Sequence, residues 1–221
     1  MDCVVQTYKL ADRPDPTLDA DGKLAFLLQC QLRGYSSIDP PVKPQVAITA
    51  SILRQFCKMS ISDADKALCE LFIGTFFFAM KSCKYVTVSG YSKTKLLALR
   101  NIRFFKGRRL LDHTDRLLHL ADCVSITFEL QKKETKNDII AQHKSSDPSL
   151  CPVKIWAKIV RRISTYPSST KNTTVNTFSL FDNKIHLFTG TELLKCLRLA
   201  ASSLGPDTLG FSSDEIGLHS A

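Results

Sequence analysis

Ala67-Leu68-Cys69-Glu70-Leu71-Phe72-Ile73-Gly74-Thr75-Phe76-Phe77-Phe78-Ala79-Met80 is the stretch whose reading decides the fold. It is shorter than the run of about 20 apolar residues that spans a bilayer, and it carries Glu70, so it reads as a buried helix rather than a membrane segment. Leu68, Leu71, Phe72, Ile73, Phe76, Phe77, Phe78 and Met80 leave the helix apolar nearly all round, which makes it the central element of a core. Ser62 or Asp63 supplies an N-cap, and the helix is expected to run through Lys66 to about Met80.

Upstream, Thr49 to Lys58 reads as a second helix, and the prolines of Ser36-Ser37-Ile38-Asp39-Pro40-Pro41-Val42-Lys43-Pro44 forbid a helix there and mark a linker. Before it, Lys23 to Gly34 reads as a helix with Leu24, Leu27, Leu28, Gln31 and Leu32 on one face, preceded by an Asp- and Pro-rich arm over residues 1–22. The organisation expected is therefore an arm, helix and linker over 1–44 and a main domain over 45–221.

Downstream, Leu99 to Phe105 and Cys123 to Leu130 alternate in the manner of strands, Lys132 to Asp138 is a polar turn, and Ile139 to His143 returns as a third strand. Pro152 opens a helix with Ile155, Trp156, Ile159, Val160 and Ile163 on one face and Lys158, Arg161 and Arg162 on the other. Ser164 to Thr177 is rich in Ser, Thr and Asn and reads as an exposed loop. Thr191 then caps a helix with Leu193, Leu194, Leu197 and Ala200 inward, ended by Gly205-Pro206. The fold class is mainly α with a small three-stranded antiparallel sheet, α+β overall.

The net charge of +9 is concentrated. Lys81, Lys84, Lys93, Lys95, Arg100, Arg103, Lys106, Arg108 and Arg109 fall within one segment that has no acidic residue, while the rest of the chain is balanced. Such a block points to a polyanion, of which double-stranded DNA is the partner expected, with Lys93, Lys95, Arg100, Arg103, Lys106, Arg108 and Arg109 as its contacts. The eight cysteines are nowhere closer than Cys57 and Cys69, too sparse for a zinc site or a disulfide scaffold, and read as reduced thiols. No metal and no cofactor is expected. The first residues lack the basic and apolar regions of a secretory signal, which places the protein inside the cell, with no membrane partner. Gly-rich phosphate loops, paired-His metal spacings and G-x-S-x-G elbows are missing.

The run Leu71 to Tyr85, followed by Thr94-Lys95-Leu96-Leu97-Ala98-Leu99-Arg100-Asn101-Ile102-Arg103-Phe104, then Gln131-Lys132, Asp147-Pro148-Ser149-Leu150-Cys151-Pro152-Val153 with Trp156, and Asp214-Glu215-Ile216-Gly217-Leu218-His219-Ser220, resembles the catalytic domain of eukaryotic tyrosine recombinases of Crypton-like mobile elements. These enzymes are related to phage integrases. The resemblance spans roughly residues 24 to 221 and rests on the order and spacing of the segments. It implies DNA recombination or integration chemistry and a nuclear location. In that chemistry a tyrosine attacks the scissile phosphate while arginines, a lysine and histidines stabilise charge and move protons. Guanidinium forks suit the phosphorane because they hold two of its oxygens at once.

Carried over residue by residue, the resemblance places the family's first catalytic arginine on Lys81. The family reads Ala-Met-Arg-Ser-Cys-Glu-Tyr where this chain reads Ala79-Met80-Lys81-Ser82-Cys83-Lys84-Tyr85. Lysine keeps the charge and loses the fork, and Lys84 stands where the family has a carboxylate. The hairpin lysine that protonates the leaving oxygen matches Lys132, with Lys133 adjacent, and His219 matches the first residue of a His-x-x-Arg box. The chain as given ends at Ala221, before the second arginine, the later histidine and the nucleophilic tyrosine of the family. Tyr8, Tyr35, Tyr85, Tyr91 and Tyr166 all precede His219 and read as structural or surface residues.

Three readings stand. The first is a DNA-binding recombinase-like domain unable to cleave as given. A recombinase whose reading frame continues past Ala221 is the second, and a basic helical interaction module without DNA-cleaving activity is the third. The resemblance also raises assembly into homo-oligomers on DNA, against which stands the missing C-terminal docking segment.

Overall fold

The computed structural model describes residues 15, 17–19, 21–26, 28–30, 46–88, 95–129, 137–181 and 184–218. The chain divides into two units, 1–44 and 45–221. In the first, the Asp19 carboxylate accepts from the backbone N–H groups of Asp21 and Lys23, closing a turn that brings Leu18 opposite Leu24. Phe26 and residues 28–30 are helical; the helix expected from Lys23 is corrected at its start, because Lys23 closes the turn and Leu24 pairs with Leu18, and residues 27 and 31–34 lie outside the described residues.

The second unit holds helices α1 (Ala50–Met59), α2 (Asp63–Phe76), α3 (Pro152–Ser164), α4 (Gly190–Leu204) and the short α5 (Pro206–Leu209). Its strands are β1 (Ile102–Lys106), β2 (Arg109–Leu111), β3 (Cys123–Phe128), β4 (Asp138–His143), β5 (Thr177–Ser179) and β6 (Ile185–Leu187). The domain is α+β. The expected three strands are corrected to a four-stranded antiparallel sheet in the order β2-β1-β3-β4, with a separate β5-β6 hairpin.

α2 forms where its apolar run required a helix. The Ser62 side chain accepts from the Asp65 N–H and the Asp65 carboxylate accepts from the Ser62 N–H, a reciprocal cap that satisfies donors left over at the helix start. α2 packs against α3. Gly74 permits the close approach, because a Cβ there would sit 3.2 Å from the Trp156 ring and 3.3 Å from Ile159 Cδ1. Trp156 is fully buried and its indole Nε1 donates to the Gly74 carbonyl at 3.0 Å. That carbonyl is among the last four of α2, which have no partner within the helix, so the neighbouring helix supplies it.

Four further expectations are corrected. α2 stops at Phe76 rather than near Met80, for a reason taken up below. The first strand starts at Ile102, because Leu99–Asn101 forms a 3₁₀ turn. The cap of α4 is Thr189, not Thr191: the Thr189 hydroxyl accepts from the Glu192 N–H, and Glu192 returns a carboxylate to the Thr189 N–H. Finally, the Ser- and Thr-rich segment expected as a loop ends in β5, which pairs Thr177 with Leu187 and Ser179 with Ile185.

The sheet lies against α3 through β3 and β4. Ile102 and Phe104 of β1 and Val124, Ile126 and Phe128 of β3 are buried, while Arg103 and Lys106 are exposed. β1 and β2 join through Gly107 and Arg108. Gly107 has φ +57°, the left-handed value that the first central residue of a two-residue II′ hairpin demands.

Candidate nucleic-acid interface

Lys81 owes its position to the end of α2. The N–H of Met80 donates to the Thr75 carbonyl at 3.3 Å and that of Ala79 to the Phe76 carbonyl at 3.0 Å, the double bond pattern that closes a helix around a left-handed residue. Ala79 takes that conformation, with φ +47°. The chain reverses there, and Lys81 emerges exposed at the head of the 3₁₀ turn Ser82–Lys84. Glycine is the residue suited to the Ala79 position, where a Cβ costs roughly 1–2 kcal/mol. Ala79 is exposed and loses no packing on replacement. Ala79→Gly is therefore expected to raise stability by about 0.5 kcal/mol after the added freedom of the unfolded chain is subtracted, read as a higher melting temperature.

The segment after Lys81 is clamped onto the start of α4. Thr87 donates its N–H to the Phe188 carbonyl at 3.0 Å and accepts from the Gly190 N–H at 2.9 Å, and Asn176 Nδ2 donates to both Thr87 Oγ1 and the Phe188 carbonyl at 3.1 Å. Gly190 leaves room for Leu218, whose Cδ1 would lie 3.3 Å from a Cβ there. Arg198 of α4 holds the same C-terminal segment, donating to the carbonyls of Asp214 at 3.1 Å and Ile216 at 3.1 and 3.3 Å. The result is an open cleft of about 540 Å³ lined by Lys81, Ser82, Cys83, Thr87, Val88, Gly190, Thr191, Leu194, Gly217 and Leu218. The first turn of α4 contributes its partial positive charge to the same wall.

Lys81 and the residues immediately before His219 therefore share one cleft. His219, Lys132, Lys133 and Lys93 lie outside the described residues. So do Tyr8, Tyr35 and Tyr91. Tyr85 is 1% exposed, and burial pushes its pKa up to about 12. Tyr166 receives a hydrogen bond from Arg162 at 2.9 Å. Among the described residues no group of three His, Cys, Asp or Glu side chains could hold a metal ion, and no helix is long and apolar enough to cross a membrane.

The basic block forms two groups rather than one patch. β1 runs antiparallel to β3, with Ile102 opposite Ile126 and Phe105 opposite Cys123. Arg100 and Lys95 thus stand at the end of the sheet where β3 finishes, beside Lys84, Asn101 and Glu129. Lys106, Arg108 and Arg109 crown the β1–β2 hairpin at the opposite end, about 13 Å away along the strand. Arg103 is exposed midway.

These cations are not equally available. Arg100 grips Glu129 with two bonds, Nε to Oε1 at 2.7 Å and Nη2 to Oε2 at 3.1 Å, and bonds Asn172 through Nη1. The Arg100 guanidinium, then the Asn101 amide, hold the Glu129 carboxyl down at about 2. Arg109 has a looser partner in Asp115 at 3.6 Å, and Asp122 accepts the Gly107 N–H at 2.9 Å beneath the hairpin tip. Arg103, Lys171 and His113 line a further cleft of about 620 Å³ with Arg100 and the hydroxyl-bearing Ser164, Ser169 and Thr170.

Two side chains that shape the candidate site escaped the sequence. Arg198, which fastens the segment leading to His219, sits on a helix face without any motif to flag it. Glu129 was invisible as the partner of Arg100 because 29 residues separate them. Compared with known protein families, curated proteins and solved structures, the chain finds no match in any of the three.

Proposed function

We propose that the chain is a DNA-binding protein of recombination or integration, built like the catalytic domain of a tyrosine recombinase, that holds a backbone phosphate at the Lys81 cleft. The observation that carries this reading is the meeting of Lys81 with Gly217 and Leu218 at the start of α4. The resemblance assigns a phosphate-holding cation to Lys81 and a proton-moving histidine to the next residue along from Leu218. Nothing in composition or spacing required those segments to be neighbours. The helix start behind them favours an anion, and Lys95 adds charge at the same end of the sheet.

Within this reading Lys81 holds a phosphate oxygen as a point charge and does not fork across two. Binding is retained and the stabilisation of a pentavalent phosphorane is weak. The Tyr85 hydroxyl, buried and held protonated, is no substitute nucleophile.

Duplex binding measured by fluorescence anisotropy across a salt series tests the proposal. The logarithm of affinity is expected to fall linearly with the logarithm of salt concentration, steepened by roughly 0.9 for each phosphate neutralised. Lys81→Glu should weaken binding strongly at low salt. A response flat in salt, or a Lys81→Glu protein that binds like the original, would overturn the reading. Preference for single-stranded RNA over duplex DNA would favour the interaction-module alternative.

A further inference from the structure

Cys57, in the last turns of α1, and Cys69, in the second turn of α2, lie across the contact between those helices with their sulfurs 3.5 Å apart. Their spacing in the chain, 12 residues, carries no motif. Cys69 is 3% exposed and Cys57 is half-buried, so one thiol is shielded and the other is reachable by a small oxidant.

We propose that Cys57 and Cys69 form a peroxide-responsive thiol pair, with Cys57 the attacking sulfur and Cys69 the resolving one, which closes a disulfide between α1 and α2. The Cys57 thiolate attacks one oxygen of hydrogen peroxide, the O–O bond breaks, and the departing hydroxide takes a proton and leaves as water. Cys57 is then a sulfenic acid. The Cys69 sulfur attacks the Cys57 sulfur, the S–O bond breaks as the S–S bond forms, and the hydroxide leaves as a second water with the Cys69 proton. The two thiols lose two electrons and peroxide gains them.

The geometry requires little rearrangement. A disulfide bond is about 2.05 Å long, so the sulfurs close by about 1.5 Å, a displacement within reach of side-chain rotation. The division of roles follows from the surroundings. The hydrogen bond from Cys69, opposed by burial and aided by the Lys158 ammonium, lowers the Cys57 pKa to about 7. Cys69 is raised by the same hydrogen bond and by burial. The reachable sulfur is thus the one favoured to ionise, and thiolate is the form that attacks peroxide.

The test treats the full chain with hydrogen peroxide, blocks remaining thiols with iodoacetamide and maps the digest by mass spectrometry without reduction. The expected product is one linked peptide pair joining Cys57 to Cys69, two hydrogens lighter than the separate peptides and dispersed by dithiothreitol. The oxidised protein should melt at a higher temperature than the reduced one, since the link constrains the unfolded chain. In Cys69→Ser the link and the melting shift should both vanish, and dimedone should capture Cys57 as a sulfenic acid, a product that Cys69 removes in the unaltered chain. Cys30, which is exposed, reports that peroxide has acted. Oxidation of Cys30 without a Cys57–Cys69 link, a link from Cys57 to another cysteine, or a fall in melting temperature on oxidation would overturn the proposal.

Discussion

Trp156→Ala is expected to remove about 3–5 kcal/mol of stability, the range for emptying a large aromatic from a core. Marginal stability for a domain is about 5–15 kcal/mol, so this one change takes a large share of it. Trp156 is the largest fully buried side chain, meets Phe78 edge-on at 6.3 Å, and sits in the space that Gly74 leaves open. Trp156→Phe separates volume from hydrogen bonding. It keeps most of the apolar surface and strips the donor from the Gly74 carbonyl, at an expected cost of about 1–3 kcal/mol. Urea denaturation of the three proteins checks both values. A loss below about 1 kcal/mol for Trp156→Ala would mean that α2 and α3 do not meet at this point, since that is the size of an ordinary surface change.

The second large effect concerns the hairpin tip. Replacing Lys106, Arg108 and Arg109 together by Ala is expected to lower duplex affinity on the order of a hundredfold at low salt and to flatten the salt slope by roughly 2.7, three contacts at about 0.9 each. They stand at and beside a two-residue turn at the sheet end away from Lys95, and of the three only Arg109 is paired with an acid among the described residues, Asp115 at 3.6 Å. Arg100→Ala makes the contrast. Arg100 is bound to Glu129 and Asn172, so its loss should loosen the 3₁₀ turn at Leu99–Asn101 and leave the salt slope nearly unchanged. An unaltered slope in the triple variant would remove the hairpin from the DNA contact.

The helices were legible where local rules govern them. The apolar run of α2, the one-sided pattern of α3 and the proline at the start of α3 each state their structure within a few residues. The end of α2 was not legible, because it depends on Ala79 taking a conformation that favours glycine and that nothing in an Ala-Met pair announces. β2 escaped for a different reason. Arg109-Leu110-Leu111 is too short to show alternation, and it becomes a strand only because Gly107 folds it back on β1. β5 and β6 are three residues each and likewise exist through pairing alone.

The candidate site divides along the same line. Lys81 was singled out by resemblance alone, and its cleft depends on contacts between Thr87, Gly190 and Leu218 that no local pattern encodes. The basic block was legible as charge and not as shape. β1 separates Arg100, in the 3₁₀ turn before it, from Lys106 at its far end, so a run that looks continuous in sequence becomes two footings in space.

The clasp that Arg198 makes on the Asp214 and Ile216 carbonyls sets a population as well as a position. Ile216, 1% exposed, adds apolar burial to the Arg198 bonds that seat that segment against the domain, so the seating depends on both. A phosphate bound in the cleft would be held with its intrinsic affinity multiplied by the fraction of molecules in which that segment is seated, and its binding would in turn raise that fraction.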